Sequence, residues 1–146
     1  MKTLEFSIQI SSDKEKVWAT MLHPETYKEW VSETWPGSFY EGIWEPGEEI
    51  RFISPGRGGT LATISELRPY EYIQAEHIAV INADGSEDRE SEVAKGWIGT
   101  EERYTFTGHN GKTEVKVRIT TSPSWEKMFS DDWPTALSKL KEVCER

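Results

Sequence analysis

One histidine of this chain is predicted to point into an apolar interior. His77 lies in an alternating run with Ile73, Ala75, Ala79 and Ile81, and the two-residue period of a strand places all five side chains on one face. That face should look toward the concave side of the sheet. A bulge of one residue in the run would move side chains to the opposite face.

Glu102 is the predicted partner of His77. It shares the face of a later strand with Tyr104 and Phe106, and pairing of the two strands would bring Glu102 near the level of His77. A histidine and a glutamate that face an apolar cavity could orient a polar group of a ligand or transfer a proton. Alternatively, the two side chains only pair with each other, or they lie at the solvent-exposed end of a strand. The functional and the structural interpretation both stay open here.

Other patterns that could carry chemistry are weak. His23 precedes a proline and His109 falls in a turn, so we expect both to be solvated, and no H-x-x-x-H spacing indicates zinc. No serine stands in a G-x-S-x-G elbow. The glycine-rich residues 55–59 lack a following Lys-Ser/Thr pair and open a strand, so they predict a hairpin turn rather than a phosphate loop. We therefore predict no catalytic set, no metal and no cofactor.

Large aromatic side chains are abundant, with seven tryptophans among 146 residues. Such rings fill cores, and they also form the walls of apolar pockets. Together with His77 and Glu102, the predicted ligand-binding residues are Trp30, Trp35, Trp44, Tyr72, Tyr104, Phe129 and Trp133. A packed core uses the same residue types, so core filling remains the alternative for each ring.

The elements that must position these side chains follow from periodicity. Residues 3–10 alternate as a strand does, and Ser12 or Asp13 can cap a helix that ends at His23-Pro24. A second short helix is predicted at 25–30. Six strands then follow, at 38–44, 48–53, 60–67, 70–81, 97–107 and 113–121. Residues 82–95 are predicted to be an acidic loop, and Asn110-Gly111 to form a tight hairpin turn.

A C-terminal helix should close the fold. Its apolar stripe has helical spacing and consists of Trp125, Met128, Phe129, Trp133, Ala136, Leu137, Leu140 and Val143. Pro134 would remove a backbone hydrogen bond from this helix, so we predict a break near residues 130–132, with Asp131 capping a second segment. The stripe must lie across the concave face of the sheet, because neither element can bury its apolar side alone. A cavity can remain between them, with an expected volume of about 300–1,000 Å³.

This order of elements resembles the helix-grip fold of the START-like or SRPBCC superfamily. Four motifs are similar to the branch of AHSA1-like proteins, which are related to the activator of Hsp90 ATPase: Pro24 with Trp30, the G-x-W-x-x-G turn at 42–47, the E-x-x-P junction at 66–69, and the helix at 132–141. The resemblance covers essentially residues 1–146 as one domain. It implies an α+β fold in which a curved antiparallel sheet of six or seven strands wraps around the long last helix, with two short helices after the first strand. The last motif departs from the family pattern at Asp132, which replaces a glycine, and at Pro134.

Charge and cysteine content restrict the partners. The 17 Lys and Arg residues against 26 Asp and Glu give a net charge of −9, so nucleic acid and acidic lipid surfaces are disfavoured partners. Cys144 is the single cysteine, which fits a reducing compartment. With no secretory signal and no apolar run of membrane-spanning length, we expect a cytoplasmic protein.

Three functions remain open. The first is a non-enzymatic binder of a small apolar or amphipathic molecule held between the last helix and the sheet, with His77 and Glu102 as polar anchors. The second is a co-chaperone-like (Hsp90-related) or stress-response interaction module that acts through its surface; contact with a chaperone is left open, and the resemblance does not imply a full ATPase-activating role on Hsp90. The third is a cyclase- or hydrolase-like enzyme that uses His77 as acid or base. A homodimer is also left open.

Overall fold

The computed structural model describes residues 1–146 and has an antiparallel sheet that wraps around a long C-terminal helix. The strands are β1 (Lys2–Ile10), β2 (Phe39–Gly42), β3 (Glu49–Ser54), β4 (Gly58–Arg68), β5 (Tyr72–Ile81), β6 (Glu87–Asp88), β7 (Glu101–His109) and β8 (Lys112–Thr121). The helices are α1 (Lys14–Leu22), α2 (Pro24–Trp30), α3 (Glu92–Trp97) and α4 (Glu126–Glu145), with a 3₁₀ turn at Pro123–Trp125. The predicted α+β helix-grip architecture is confirmed.

The two short helices after β1 begin and end where their capping residues predict. The Asp13 side chain accepts a hydrogen bond from the Lys16 backbone N–H at 2.8 Å and begins α1. His23 ends α1 with extended backbone, and its Nδ1 accepts from the Glu25 N–H, so it also caps α2. Pro24 is the first residue of α2, where its missing N–H costs nothing.

All strands of the sheet pair antiparallel, in the order β1-β8-β7-β5-β4-β3-β2, and β6 adds to β5. His109 pairs with Lys112, which leaves a two-residue hairpin between β7 and β8. Asn110 and Gly111 have φ angles of 52° and 77°, the pair of positive values that such a turn requires. The predicted Asn-Gly hairpin is therefore confirmed.

The prediction of a break in the last helix is wrong. α4 runs without interruption from Glu126 to Glu145 with Pro134 inside it. Ser130, whose carbonyl loses its helical donor, is exposed, as is Pro134, so water can supply the missing hydrogen bond and the helix can continue. The stripe is also narrower than predicted, because Met128 is 45% exposed, while Trp125 lies in the 3₁₀ turn before the helix.

The predicted acidic loop at 82–95 contains two elements. The short strand β6 pairs with the end of β5, and α3 begins at the Ser91 cap, whose side chain accepts from the Ala94 N–H. Trp97 is the last residue of α3 rather than the first of a strand, so β7 begins four residues later than predicted, at Glu101.

The face of β5 is correctly predicted up to His77 and wrongly after it. His77 pairs with Ala62 of β4 while Ala79 pairs with Leu61, so Ile78 is an extra residue that shifts the register. Since paired residues share a face and consecutive residues of β4 point to opposite faces, Ala79 leaves the face of His77. Ala79 and Ile81 accordingly pack with Leu61 in a small cluster apart from the main core.

The main core lies between the sheet and the helices. It includes Ile73 and Ala75 of β5 and, from α4, the side chains of Phe129, Trp133, Ala136, Leu137, Leu140, Val143 and Cys144. None of the four α-helices has the length and apolar composition needed to cross a membrane.

Candidate functional site

A partly open pocket of about 190 Å³ lies where α4, α2 and α3 meet the concave face of the sheet. It is smaller than the volume expected from the sequence, and it has room for about six waters at roughly 30 Å³ each. Seven of the nine predicted residues line it: Trp30, Trp35, Trp44, Glu102, Tyr104, Phe129 and Trp133. The remaining two, Tyr72 and His77, do not.

Tyr72 was predicted as a pocket wall, and its position contradicts this. It is the neighbour of buried Ile73 on β5 and therefore points to the opposite face of the sheet. There its hydroxyl donates to Gln74 Oε1 at 2.8 Å, and the Arg68 guanidinium lies 4.8 Å from its ring centre.

His77 lies behind the pocket wall rather than in it. Its side chain is 3% exposed, and its ring packs against Trp97 with the ring centres 4.6 Å apart. Nε2 is 3.6 Å from Glu102 Oε1, just beyond hydrogen-bond distance, and Nδ1 is buried without a partner. His77 can therefore influence a molecule in the pocket through Glu102 and Trp97, but not by direct contact.

Glu102 is the charged group of the pocket. Its side chain is 12% exposed, and Oε2 accepts a hydrogen bond from the Tyr104 hydroxyl at 2.5 Å. Burial acts to raise the pKa of Glu102, but the nearby His77 and the Tyr104 hydroxyl outweigh it, so the pKa lies below its ordinary value. Glu102 is thus a carboxylate at neutral pH.

The phenols around Glu102 respond to its charge. Burial, reinforced by Glu102, raises the pKa of Tyr104 well above its usual value. Burial and then the charge of Glu102 also raise the pKa of Tyr27, which lines the pocket from α2. Both phenols therefore stay protonated and can donate hydrogen bonds.

Three indole N–H groups of the pocket wall have no hydrogen-bond partner. The Nε1 atoms of Trp44, Trp97 and Trp133 are buried and unpaired. Trp30 differs, because its Nε1 donates to the Met21 carbonyl at 3.1 Å. Buried donors are normally paired, and each unpaired one costs about 1–3 kcal/mol, so these groups invite an acceptor.

Two glycines bring the walls of the pocket together. Gly42 has a φ angle of +124°, and a Cβ on it would lie 2.2 Å from the Glu49 carbonyl, so glycine is required at the end of β2, two residues before Trp44, which packs on Phe52. A Cβ on Gly59 would lie 1.7 Å from the Phe52 carbonyl, so only glycine fits where β4 passes β3.

The sequence prediction missed several wall residues, of which Trp97 and Tyr27 are the largest. Trp97 stacks on Phe129 with the ring centres 5.8 Å apart, and Tyr27 packs edge-on against Trp30. The signal for Trp97 was available, because Ser91 is a preferred cap and the residues after it favour a helix. The remaining missed wall residues are Met21, Leu22, Ser38, Phe52, Ile53, Ser54, Gly59, Thr60 and Ile73.

No group of three or more His, Cys, Asp or Glu side chains is arranged to hold a metal ion. The chemistry that the pocket walls offer consists of one carboxylate acceptor, phenol and indole donors, the hydroxyl groups of Ser38, Ser54 and Thr60, and aromatic faces. This set can bind and orient an organic molecule, and the carboxylate could accept a proton from it.

The family comparison agrees with this fold. The family model described as Activator of Hsp90 ATPase homolog 1-like protein matches residues 11–145. The chain belongs to this family. No curated protein matches this AHSA1-like chain significantly.

Solved structures share the AHSA1-like fold at low sequence identity. The solution structure of the Aha1 dimer from Colwellia psychrerythraea has a TM-score of 0.76 at 18% identity, over 99% of this chain and 97% of that one. Protein MLL2253 from Mesorhizobium loti has a TM-score of 0.74 at 14% identity, over 97% and 96%. Protein CV1439 from Chromobacterium violaceum has a TM-score of 0.72 at 15% identity, over 100% and 99%. At these identities, the likeness concerns the fold alone.

Proposed function

We propose that this AHSA1-like protein binds a small amphipathic organic molecule in the pocket between α4 and the sheet. The observation that carries the proposal is a pocket with a mostly aromatic wall that contains the carboxylate of Glu102 and three tryptophans, Trp44, Trp97 and Trp133, whose buried N–H groups have no partner. A packed core avoids such groups, whereas a binding site keeps a few of them to orient its ligand.

The ligand should be about the size of one aromatic ring with a short polar chain, as the volume of about 190 Å³ suggests. Its apolar part would contact rings such as Trp30 and Phe129. Its oxygen or nitrogen would meet the indole N–H groups, the Tyr104 hydroxyl or Glu102. Binding of this kind needs no chemical step, so we propose a binder rather than an enzyme.

A pocket-filling variant tests the proposal. Thr60 lines the pocket from β4, and Thr63 lies on the opposite face of the same strand, where it pairs with Glu49 and Glu76. Phenylalanine is well tolerated in strands, so Thr60→Phe and Thr63→Phe form a matched pair that differs in whether the ring enters the pocket.

The probe is 2-phenylethanol, followed by calorimetry and by quenching of tryptophan emission. We expect one saturable site with a Kd of about 10 μM–1 mM, because small ligands gain limited free energy. Thr63→Phe should bind as the wild type does, and Thr60→Phe should bind at least about tenfold more weakly. Equal binding by the wild type and Thr60→Phe would contradict the proposal.

The enzyme hypothesis loses its predicted residue, because His77 does not line the pocket. The co-chaperone-like module and the homodimer remain separate hypotheses. A neighbouring structure is described as the Aha1 dimer, which applies to that protein. Sedimentation of this chain at several concentrations tests the dimer independently of the pocket. We also propose a cytoplasmic location, in keeping with the single cysteine.

A further inference from the structure

The only charged side chain that lines the pocket is negative. Glu102 is the only ionisable acid or base among the 18 lining residues apart from the phenols of Tyr27 and Tyr104, and no Lys, Arg or His is among them. The whole chain is also negative, with a net charge of −9. A mostly buried carboxylate in an apolar space is costly unless a donor or a cation meets it, and the long-range field of the protein also attracts cations.

One oxygen of Glu102 remains available. Oε2 accepts from the Tyr104 hydroxyl at 2.5 Å, whereas Oε1 has no hydrogen-bond donor, with His77 Nε2 at 3.6 Å as the nearest ion-pair partner. Glu102 is one of the residues that line the pocket, so its carboxylate is the ionised group nearest to a donor placed there. An ionised carboxylate only accepts hydrogen bonds, so the missing partner is an N–H or O–H donor.

Aromatic rings of the same pocket lie in crossed orientations. Trp35 and Trp133 lie at 73° with ring centres 5.6 Å apart, and Tyr104 and Trp133 at 54° with ring centres 6.0 Å apart. Rings at such angles can present both faces and edges to one small space, and ring faces attract cations electrostatically. The carboxylate and the aromatic rings therefore both favour a positively charged ligand.

We propose, resting on the proposed function, that the pocket selects small amines that are protonated at neutral pH. The ammonium group donates to Glu102 Oε1, and the apolar part of the amine lies among the rings of Trp30, Trp35 and Trp133. The unpaired indole N–H groups alone would suit an anion, but the charge of Glu102 in the same space repels one. A neutral or hydroxyl oxygen on the amine meets these N–H groups without that repulsion.

Two probes of one shape separate charge from size. 2-Phenylethylamine is a cation at pH 7, and 2-phenylethanol is its neutral counterpart. Affinities of both are measured by calorimetry for the wild type, Glu102→Gln and Glu101→Gln. Glu101 is the control, because it precedes Glu102 on β7, points to the opposite face and pairs with Arg103.

We expect the wild type and Glu101→Gln to prefer the amine over the alcohol by at least about tenfold, as a desolvated pairing with Glu102 and the rings permits. Glu102→Gln should reduce the preference to less than about threefold, mainly by weakening the binding of the amine, because the charge is removed while the amide keeps an oxygen that accepts a hydrogen bond. Equal binding of the two probes by the wild type, or a preference that survives in Glu102→Gln, would overturn the inference.

The outcomes separate the two proposals. Saturable binding of the alcohol without preference for the amine overturns the cation inference and leaves the proposed function standing, whereas binding of neither probe overturns both. If circular dichroism shows that Glu102→Gln does not fold, Glu102→Asp replaces it. The aspartate keeps the charge but withdraws it from the pocket, so the preference should fall by at least about threefold. An unchanged preference in that variant would count against the inference.

Discussion

The two halves of α4 pack in different ways. In the C-terminal half, Ala136, Leu137 and Leu140 are at most 2% exposed and belong to the main core. The helix contacts β1, α1 and α2. In the N-terminal half, Phe129 and Trp133 are also buried, yet they line a pocket and the Trp133 N–H has no partner. Burial alone therefore does not distinguish core from site. The distinction lies in side-chain shape and in whether polar atoms are satisfied.

Leu137→Asp should have the largest effect on stability, because it places an unpaired charge in the fully packed C-terminal half of α4. We expect it to destabilise the domain by more than about 4 kcal/mol. Chemical denaturation followed by circular dichroism measures the change. A midpoint close to that of the wild type would show that this half does not pack as described.

Leu140→Ala should cost about 2–5 kcal/mol, since it leaves a cavity at a fully buried position. The variant should nevertheless bind 2-phenylethanol with the wild-type Kd when it is folded, because Leu140 does not line the pocket. A large change in Kd would indicate that the two halves are not independent.

Trp133→Phe should show the converse behaviour. The smaller ring keeps most of the packing and removes the unpaired N–H, so we expect a loss of only about 1–2 kcal/mol in stability. Binding of 2-phenylethanol should weaken by about threefold to tenfold. Unchanged binding together with a large loss of stability would reclassify Trp133 as core.

Glu102→Gln should lower stability in a pH-dependent way. The pKa of Glu102 is depressed in the folded protein, so its ionised form stabilises the fold above the unfolded pKa, which is about 4.3. This contribution is lost as the pH falls through the folded pKa. The difference in unfolding free energy between wild type and Glu102→Gln should therefore be largest at neutral pH and shrink below about pH 4. A constant difference would contradict the assigned ionisation.

His77→Leu should have the smallest effect on stability, within about 1 kcal/mol, because leucine has a similar volume and removes a buried Nδ1 that has no partner. Binding of a polar ligand should weaken modestly, because the Glu102 carboxylate loses the neighbouring imidazole of His77. Denaturation and calorimetry on the same sample measure both effects. A loss of several kcal/mol would mean that the pairing of His77 with Glu102 holds the fold together.

The sequence predicted the fold and seven of the 18 residues that line the pocket, for identifiable reasons. Alternation placed Glu102 beside Tyr104, and helical spacing placed Trp133 in the stripe of α4, because both patterns follow from backbone geometry. The extra residue at Ile78 escaped prediction, since a bulge leaves the apolar pattern of β5 almost unchanged. The continuity of α4 through Pro134 also escaped, because it depends on solvent access at Ser130.

The size and shape of the pocket could not be predicted from the sequence. Whether rings such as Trp97 and Trp133 meet completely or leave a space depends on their relative angles, which no one-dimensional pattern contains. Only the three-dimensional arrangement distinguishes the bonded N–H of Trp30 from the unpaired N–H of Trp133.

The most direct test of the pocket follows the seven indole N–H signals in a ¹⁵N-correlated NMR spectrum during titration with 2-phenylethanol. Single Trp→Phe variants assign the signals. The N–H signals of Trp97 and Trp133 should shift in a saturable way with one common Kd. The signal of Trp18, which packs on Tyr70 and Phe106 away from the pocket, should not move. Stationary signals of Trp97 and Trp133, or equal non-saturating shifts of all seven, would contradict the presence of a ligand site between α4 and the sheet.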